Sequence, residues 1–302
     1  MDERNTGDRF GQAVQVLPAE LRQAALTLTA EERRQTEELR FRRGYPASAV
    51  LPDGERELPG GPVTGEELDR LLEYASGSSF QTVLPQLRRG FITLPGGHRL
   101  GLCGRAVLRE GELVNLRPIS SASLRIAGEV KGAADGVLPL LCEDGKLLST
   151  LILAPPGQGK TTLLRDVIRC VSEGKNCAPL RVALADERGE VAAVWNGQAQ
   201  LDVGRRTDVL EGCPKAQGLM LLLRAMNPQV LAVDEITARE DVEALSAAAG
   251  CGAVLLATAH GADREDLLRR RLYRPLLEDG LFRRLVRIGR KNGTRCYTVE
   301  VL

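Results

Sequence analysis

Apolar and polar positions follow two different rhythms along this chain, and the change of rhythm divides it. Pro18-Ala19-Glu20-Leu21 opens a helical pattern, and Thr29-Ala30-Glu31-Glu32 has the capping-box spacing that predicts another helix start. Thr64-Gly65-Glu66-Glu67 repeats that spacing, followed by Leu68, Leu71, Leu72 and Ala75 on one helical face. Between these helices, Leu51 to Pro62 is rich in Gly and Pro and reads as a loop. From Gly90 the period shortens. Phe91-Ile92-Thr93-Leu94 and Arg99 to Cys103, on either side of Gly96-Gly97, predict a β-hairpin, with short strands following through Ile126. Residues 1–145 are therefore expected to form a smaller α+β domain, ending at the polar turn Glu143-Asp144-Gly145-Lys146.

Residues 146–302 carry continuous apolar runs at Thr150–Ala154, Leu180–Ala185, Val230–Val233 and Ala253–Ala257, separated by helical patterns. Continuous runs suit strands covered by helices on both faces, so a mainly parallel α/β sheet is expected. At the end, Leu285–Ile288 and Cys296–Val301 flank Lys291-Asn292-Gly293-Thr294, where Asn-Gly predicts a hairpin turn. No internal repeat interrupts either part.

The first run leads into Ala154-Pro155-Pro156-Gly157-Gln158-Gly159-Lys160-Thr161-Thr162 and then a helical pattern, the strand–loop–helix context of a P-loop. Glycines let backbone N–H groups close around phosphates, and the helix N-terminus adds its positive end. In that reading residues Pro155 to Thr162 bind ATP, Lys160 reaches the β- and γ-phosphates, and Thr161 holds Mg²⁺. Ala154 stands where such loops usually have their first glycine.

About 75 residues on, Leu231-Ala232-Val233-Asp234-Glu235 is expected to form a strand beside the P-loop strand. Asp234 there would hold Mg²⁺, and Glu235 would polarise the water that attacks the γ-phosphate. Asp186-Glu187-Arg188-Gly189-Glu190 follows the second apolar run, which places acids at the carboxyl edge where open α/β sheets bind ligands. Thr258-Ala259-His260-Gly261 follows the fourth run, where a histidine can contact the γ-phosphate or the attacking water. His98 has no such context and reads as a surface residue. Arginines complete the candidates: Arg206 after Arg205, Arg224 ahead of the Asp234 strand, and Arg117 and Arg125. With 35 arginines in the chain, only position argues for these.

Composition narrows the classes. Basic and acidic residues number 41 and 40, which excludes a polybasic nucleic-acid coat, and ten aromatics argue against base stacking. The 11 basic and six acidic groups of Asp263–Leu302 form a local excess, read as a solvated face or a docking surface. Seven cysteines, an odd number without CxxC spacing, and two histidines make a structural zinc site unlikely to form and fit a reducing cytosol. No apolar run spans a bilayer and no signal core follows Met1, so a cytoplasmic protein, peripheral at any membrane, is expected.

Arg206-Thr207-Asp208-Val209-Leu210, Cys213-Pro214-Lys215-Ala216, Leu223-Arg224-Ala225-Met226-Asn227-Pro228 and Val233-Asp234-Glu235-Ile236 follow Asp186-Glu187-Arg188 in that order. This succession resembles the stage III sporulation protein AA family of endospore-forming bacteria, itself similar to the motor ATPases of type II and type IV secretion and type IV pili. The resemblance implies a RecA-like P-loop ATPase core and places Asp186, Glu187 and Glu190 in an acidic box. It places His260 in a histidine box, and Arg206 and Arg224 at arginines of the nucleotide site. It also implies a hexameric homo-oligomeric ring that acts on integral membrane proteins of a channel between mother cell and forespore, at the mother-cell face. Thr237 departs from the glycine expected after Asp-Glu-Ile. The alternative, a nucleic-acid-binding P-loop ATPase, lacks an appended binding module here, so nucleic acid is not an expected partner.

Overall fold

The computed structural model describes residues 8–77, 79–88, 90–291 and 294–302, so the Asn292-Gly293 turn lies outside the described residues. Contacts divide the chain into two units. One comprises the residues up to Gly128 together with Ala193–Gln200, and the other comprises Glu129–Ala192 with Leu201–Leu302.

Helix starts in the first unit follow their capping residues. Helix α1 (Arg9–Ala13) begins where the Asp8 carboxylate accepts the Gly11 N–H at 2.8 Å, and α2 (Ala19–Leu26) begins after Pro18. At α3 (Ala30–Gln35) the Thr29 hydroxyl accepts the Glu32 N–H while the Glu32 carboxylate accepts the Thr29 N–H. Thr64 and Glu67 repeat this reciprocal pair at α4 (Gly65–Ala75), which buries Leu68, Leu71 and Leu72; α5 (Phe80–Arg88) follows. These helices accompany an antiparallel sheet of β1 (Glu38–Arg42), β2 (Ser48–Leu51), β3 (Gly54–Glu57), β4 (Ile92–Thr93), β5 (Arg99–Arg109) and β6 (Glu112–Arg125). Its order is β3-β2-β1-β6-β5-β4.

Two expectations are corrected in this unit. The segment Leu51 to Pro62 is not all loop. Pro52-Asp53 turns the chain, and Gly54 at φ 136° begins β3, whose Gly-Glu-Arg-Glu is exposed at every position and so lacks alternation. His98 is not a surface residue. It is fully buried, and its Nδ1 accepts the Ala127 N–H at 3.0 Å, so the imidazole is neutral with its proton on Nε2. Burial, with Arg9 adding to it, pushes its pKa down to about 4.

The second unit begins at Glu129 and includes the small hairpin β7 (Cys142–Glu143) and β8 (Lys146–Leu147), so the polar turn expected as the domain boundary lies inside this unit. A polar turn marks a hairpin as readily as a linker. The main elements then alternate. Strand β9 (Thr150–Ala154), α6 (Lys160–Glu173) and β10 (Val182–Asp186) precede β11 (Val194–Trp195) and β12 (Gln198–Ala199), a ribbon that packs with the first unit. There follow β13 (Thr207–Glu211), α7 (Lys215–Met226), β14 (Val230–Val233), α8 (Arg239–Gly250) and β15 (Val254–His260). Short α9 (Arg264–Arg269) and α10 (Arg274–Glu278) lead to β16 (Arg284–Lys291) and β17 (Thr294–Val301).

The sheet order is β13-β10-β14-β15-β9-β16-β17, parallel throughout except for the last pair. Every residue of β9, β10 and β14 is buried, as their continuous apolar runs require. One placement differs from expectation: the Asp234 strand, β14, does not adjoin the P-loop strand, β9, because β15 lies between them. Strand β13, unforeseen, is a half-buried edge strand whose Thr, Asp and Glu hide the pattern. Among the described residues no helix is long and apolar enough to cross a membrane.

The lowered pKa of His98 sets a pH dependence. Below 6.5 the unfolded chain takes up a proton that the folded chain refuses, so stability falls as pH drops from 6.5 towards about 4. Glu32 and Glu55, held down to about 2 first by hydrogen bonds from Arg56 and Arg42, lose their contribution only in the lower window between 4.5 and about 2. Urea midpoints measured from pH 7 to 4 should fall in the parent and flatten in His98→Asn, whose amide oxygen can still accept the Ala127 N–H. Parallel pH curves would remove His98 as the cause.

Candidate nucleotide site

Because β9, β10, β14 and β15 run parallel, their carboxyl ends meet at one edge, and each delivers one part of the site. From β9 comes the P-loop. Gly157 and Gly159 take φ values of 73° and 97°, and Gly159 is the N-cap of α6, so both positions require the glycines they have. Ala154 belongs to β9 itself, where no glycine is needed, which explains that departure. Lys160 is buried on the first turn of α6 and its ammonium donates to Ala154 O at 2.9 Å and Pro155 O at 3.2 Å. Burial lowers its pKa, while Asp234 and Glu235 act in the opposite direction.

The third contact of Lys160 connects the loop to the far strands. Its Nζ lies 2.8 Å from His260 Nδ1, and His260 Nε2 lies 3.1 Å from Glu235 Oε1. An ammonium only donates, so Nδ1 accepts and the Nε2–H donates to Glu235. Glu235 itself is left-handed, at φ 57°. Successive strand residues face opposite ways, and this bend lets Asp234 and Glu235 line one cleft with Asp186, Glu187, Arg188, Glu190, Lys215 and Thr237. The Thr161 hydroxyl donates to Asp234 Oδ2 at 2.7 Å. Thr258, also fully buried, donates to Asp234 Oδ1 at 2.6 Å and accepts the Glu235 N–H at 2.8 Å.

The acidic loop after β10 is held from within. Asp186 is buried and accepts N–H groups from Glu190, Val191 and Ala192; burial raises its pKa against those bonds. Lys215 Nζ stands 3.3 Å from Glu187 and donates to Thr237 Oγ1 at 3.0 Å, tying this loop to the one after β14. Thr237 thus has a partner that glycine in its place would not offer. A hydroxyl and a carboxylate already within hydrogen-bond distance, beside a glycine-lined helix N-terminus and a buried lysine, fit a nucleotide phosphate chain with Mg²⁺ at Thr161 and Asp234.

Residues 7–297 match the family model for sporulation stage III, protein AA. A curated relative, the stage III sporulation protein AA of Bacillus subtilis (strain 168), is 37% identical over 285 residues, spanning 94% of this chain and 92% of its own. The chain belongs to the stage III sporulation protein AA family. A second relative, the uncharacterized protein ycf45 of Porphyra purpurea, is 30% identical over 53% of this chain but only 26% of its own length. Among solved structures, the pilus retraction motor PilT with bound ADP aligns over 90% of this chain and 80% of its own. Its TM-score is 0.61 at 16% identity. The ATPase DotB of Legionella pneumophila aligns over 88% and 76%, with a TM-score of 0.58 at 17% identity. The fold of this stage III sporulation protein AA family member is thus α/β with a RecA-like core, shared with PilT and DotB.

The two candidate arginines lie elsewhere in the family member's second unit. Arg206 donates from Nη1 to Ser172 O, at the last turn of α6, roughly 18 Å along the helix axis from Lys160. Arg224 is exposed in the last turn of α7, ahead of the amino end of β14. Neither is brought to this chain's own P-loop. Arg125 pairs with Glu38 at 3.4 Å, and Arg117 lines a cleft of the first unit that Glu73 and Phe80 also line. Sequence reasoning assigned no role to Thr258 or Lys215. Thr258 had one usable signal, since two residues separate it from His260 and strand neighbours at that spacing share a face.

Replacing Thr258 by Val should cost about 1–3 kcal/mol, because the Glu235 N–H and Asp234 each lose a partner in a buried setting. Thr258→Ser should retain most of the stability. Equal urea midpoints for Val and Thr would show that the hydroxyl is dispensable.

Proposed function

We propose that this family member is an ATP-hydrolysing motor of a sporulation channel complex between mother cell and forespore, working as a homo-oligomeric, hexameric ring on integral membrane proteins. The observation that carries this is the hydrogen-bonded series Lys160–His260–Glu235, which joins a P-loop lysine to a carboxylate suited to activating water. The family membership and the fold shared with a pilus retraction motor support it.

In this reading Lys160 leaves its backbone carbonyls for the β- and γ-phosphates, and the backbone of Pro155 to Thr162 surrounds the phosphate chain. Thr161 and Asp234 hold Mg²⁺, which when bound neutralises phosphate charge. Glu235 takes the proton of the attacking water as the γ-phosphoryl group passes to its oxygen, leaving ADP and inorganic phosphate. His260 steadies Glu235 through its Nε2–H. When Lys160 turns to phosphate, His260 Nδ1 loses its donor, so the imidazole registers the nucleotide state. Glu187 is held at the rim by Lys215. Arg206 and Arg224 would reach γ-phosphate only in a neighbouring subunit's site, which a ring would provide. The protein would then act at the cytoplasmic, mother-cell face of the membrane.

Lys160→Ala should abolish ATP binding, whereas Glu235→Gln should bind ATP and hydrolyse it about 10²–10⁴-fold more slowly. Near-normal turnover by Glu235→Gln would overturn its role. Solution mass with and without ATP tests the ring, since a monomer in both states contradicts it. Stimulation by oligonucleotide, lost steeply with salt, would favour nucleic acid as the partner instead.

A further inference from the structure

The parallel register of β16 on β9 reaches Arg287 opposite Leu153. Strand β16 continues to Lys291, while β9 gives way to the P-loop after Ala154. The outer part of the β16–β17 hairpin therefore runs on past the carboxyl edge of the sheet, alongside the phosphate loop. Arg295 of β17 is the side chain that reaches the loop. A Cβ added to Gly159 would stand 2.9 Å from Arg295 Cζ and 3.2 Å from its Nε and Nη1. The absence of a side chain at Gly159 thus makes room for a guanidinium directly on the loop.

Arg295 stands opposite Arg290 across the antiparallel ladder, and both are exposed. Like charges directly opposite on a strand pair are destabilising. Elsewhere on this hairpin, arginines meet carboxylates: Arg284 lies 3.6 Å from Glu143, and Arg287 lies 2.7 Å from Glu300. Among the described residues, Arg290 and Arg295 have no such carboxylate. An unneutralised guanidinium beside a helix N-terminus and a loop of backbone N–H groups, with a second one opposite it on the ladder, suits an anion with several oxygens.

We propose that Arg295, with Arg290 behind it, binds the phosphate chain of the nucleotide held by the P-loop of the same subunit, an inference that rests on the nucleotide-site reading above. The nucleotide supplies the negative charge that the chain itself withholds from this pair. The planar fork of Arg295 can bond two phosphate oxygens together, which a lysine cannot do.

The test is calorimetric titration of the full chain with ATP and with adenosine, alongside thermal melts without nucleotide, for the parent, Arg295→Ala, Arg295→Lys and Lys160→Ala. Arg295→Ala should weaken ATP binding about tenfold, the loss of a charged hydrogen bond, and Arg295→Lys should recover only part of it. Its melting temperature without nucleotide should equal or exceed the parent's, because the like-charge pair is relieved. If Lys160→Ala loses ATP while Arg295→Ala binds as the parent does, this proposal fails and the nucleotide-site reading stands. If both variants bind ATP as the parent does, the nucleotide-site reading fails and takes this one with it. A lowered melting temperature with equal losses for ATP and adenosine would make Arg295 a brace for the hairpin, which also overturns the proposal.

Discussion

Thr258 is buried on the strand that separates the P-loop from the two acids, and its hydroxyl holds the Asp234 carboxylate and the Glu235 backbone at once. It donates to Asp234 and accepts the Glu235 N–H. A left-handed non-glycine residue such as Glu235 costs of order 1–3 kcal/mol, so the bend that turns its carboxylate towards His260 persists only where neighbours hold it. With β15 in the middle, β9 and β14 stand two strand spacings apart, about 10 Å. That interval is crossed by side chains, Thr161 to Asp234 on one path and Lys160 to His260 to Glu235 on another. Remove the hydroxyl and both acids lose the group that sets their direction.

The same strand order explains why arginines at the other edge cannot serve their own site. All parallel strands end together, so chemistry collects at the carboxyl edge and loops entering the strands collect at the opposite one. Arg206 precedes β13 and Arg224 precedes β14, so both fall on the entering side, with the length of α6 between Arg206 and the phosphate loop. An arginine on that side can meet phosphate only if another copy presents its own carboxyl edge.

What was legible in the amino-acid sequence was local. Caps at Thr29 and Thr64, the P-loop and the Asp234-Glu235 pair each declare themselves within a few residues, because a hydrogen bond or backbone angle dictates the residue type at a fixed spacing. Strand order was not legible, since β9, β14 and β15 are equally apolar and nothing in such runs names a neighbour. Two of the edge strands escaped for the opposite reason. Strands β3 and β13 bury too little to impose a pattern. His98 was misread because an imidazole that spends its one acceptor on a backbone N–H needs no polar companion nearby in sequence.

Charge also changes meaning once the partners are visible. The basic excess of Asp263–Leu302 was open to two readings, a solvated face or a docking surface, and several of its basic groups are paired locally. Arg269 faces Glu265, Arg270 holds Asp266, and Arg274 faces Glu278, each four residues apart on a short helix. Arg284 and Arg287 find Glu143 and Glu300. Such exposed pairs contribute little stability, but they cancel the field that a docking surface would need. The basic groups outside these pairs include Arg290 and Arg295, on the hairpin that meets the phosphate loop. A net charge summed over forty residues therefore says less than where its guanidinium groups without a carboxylate stand.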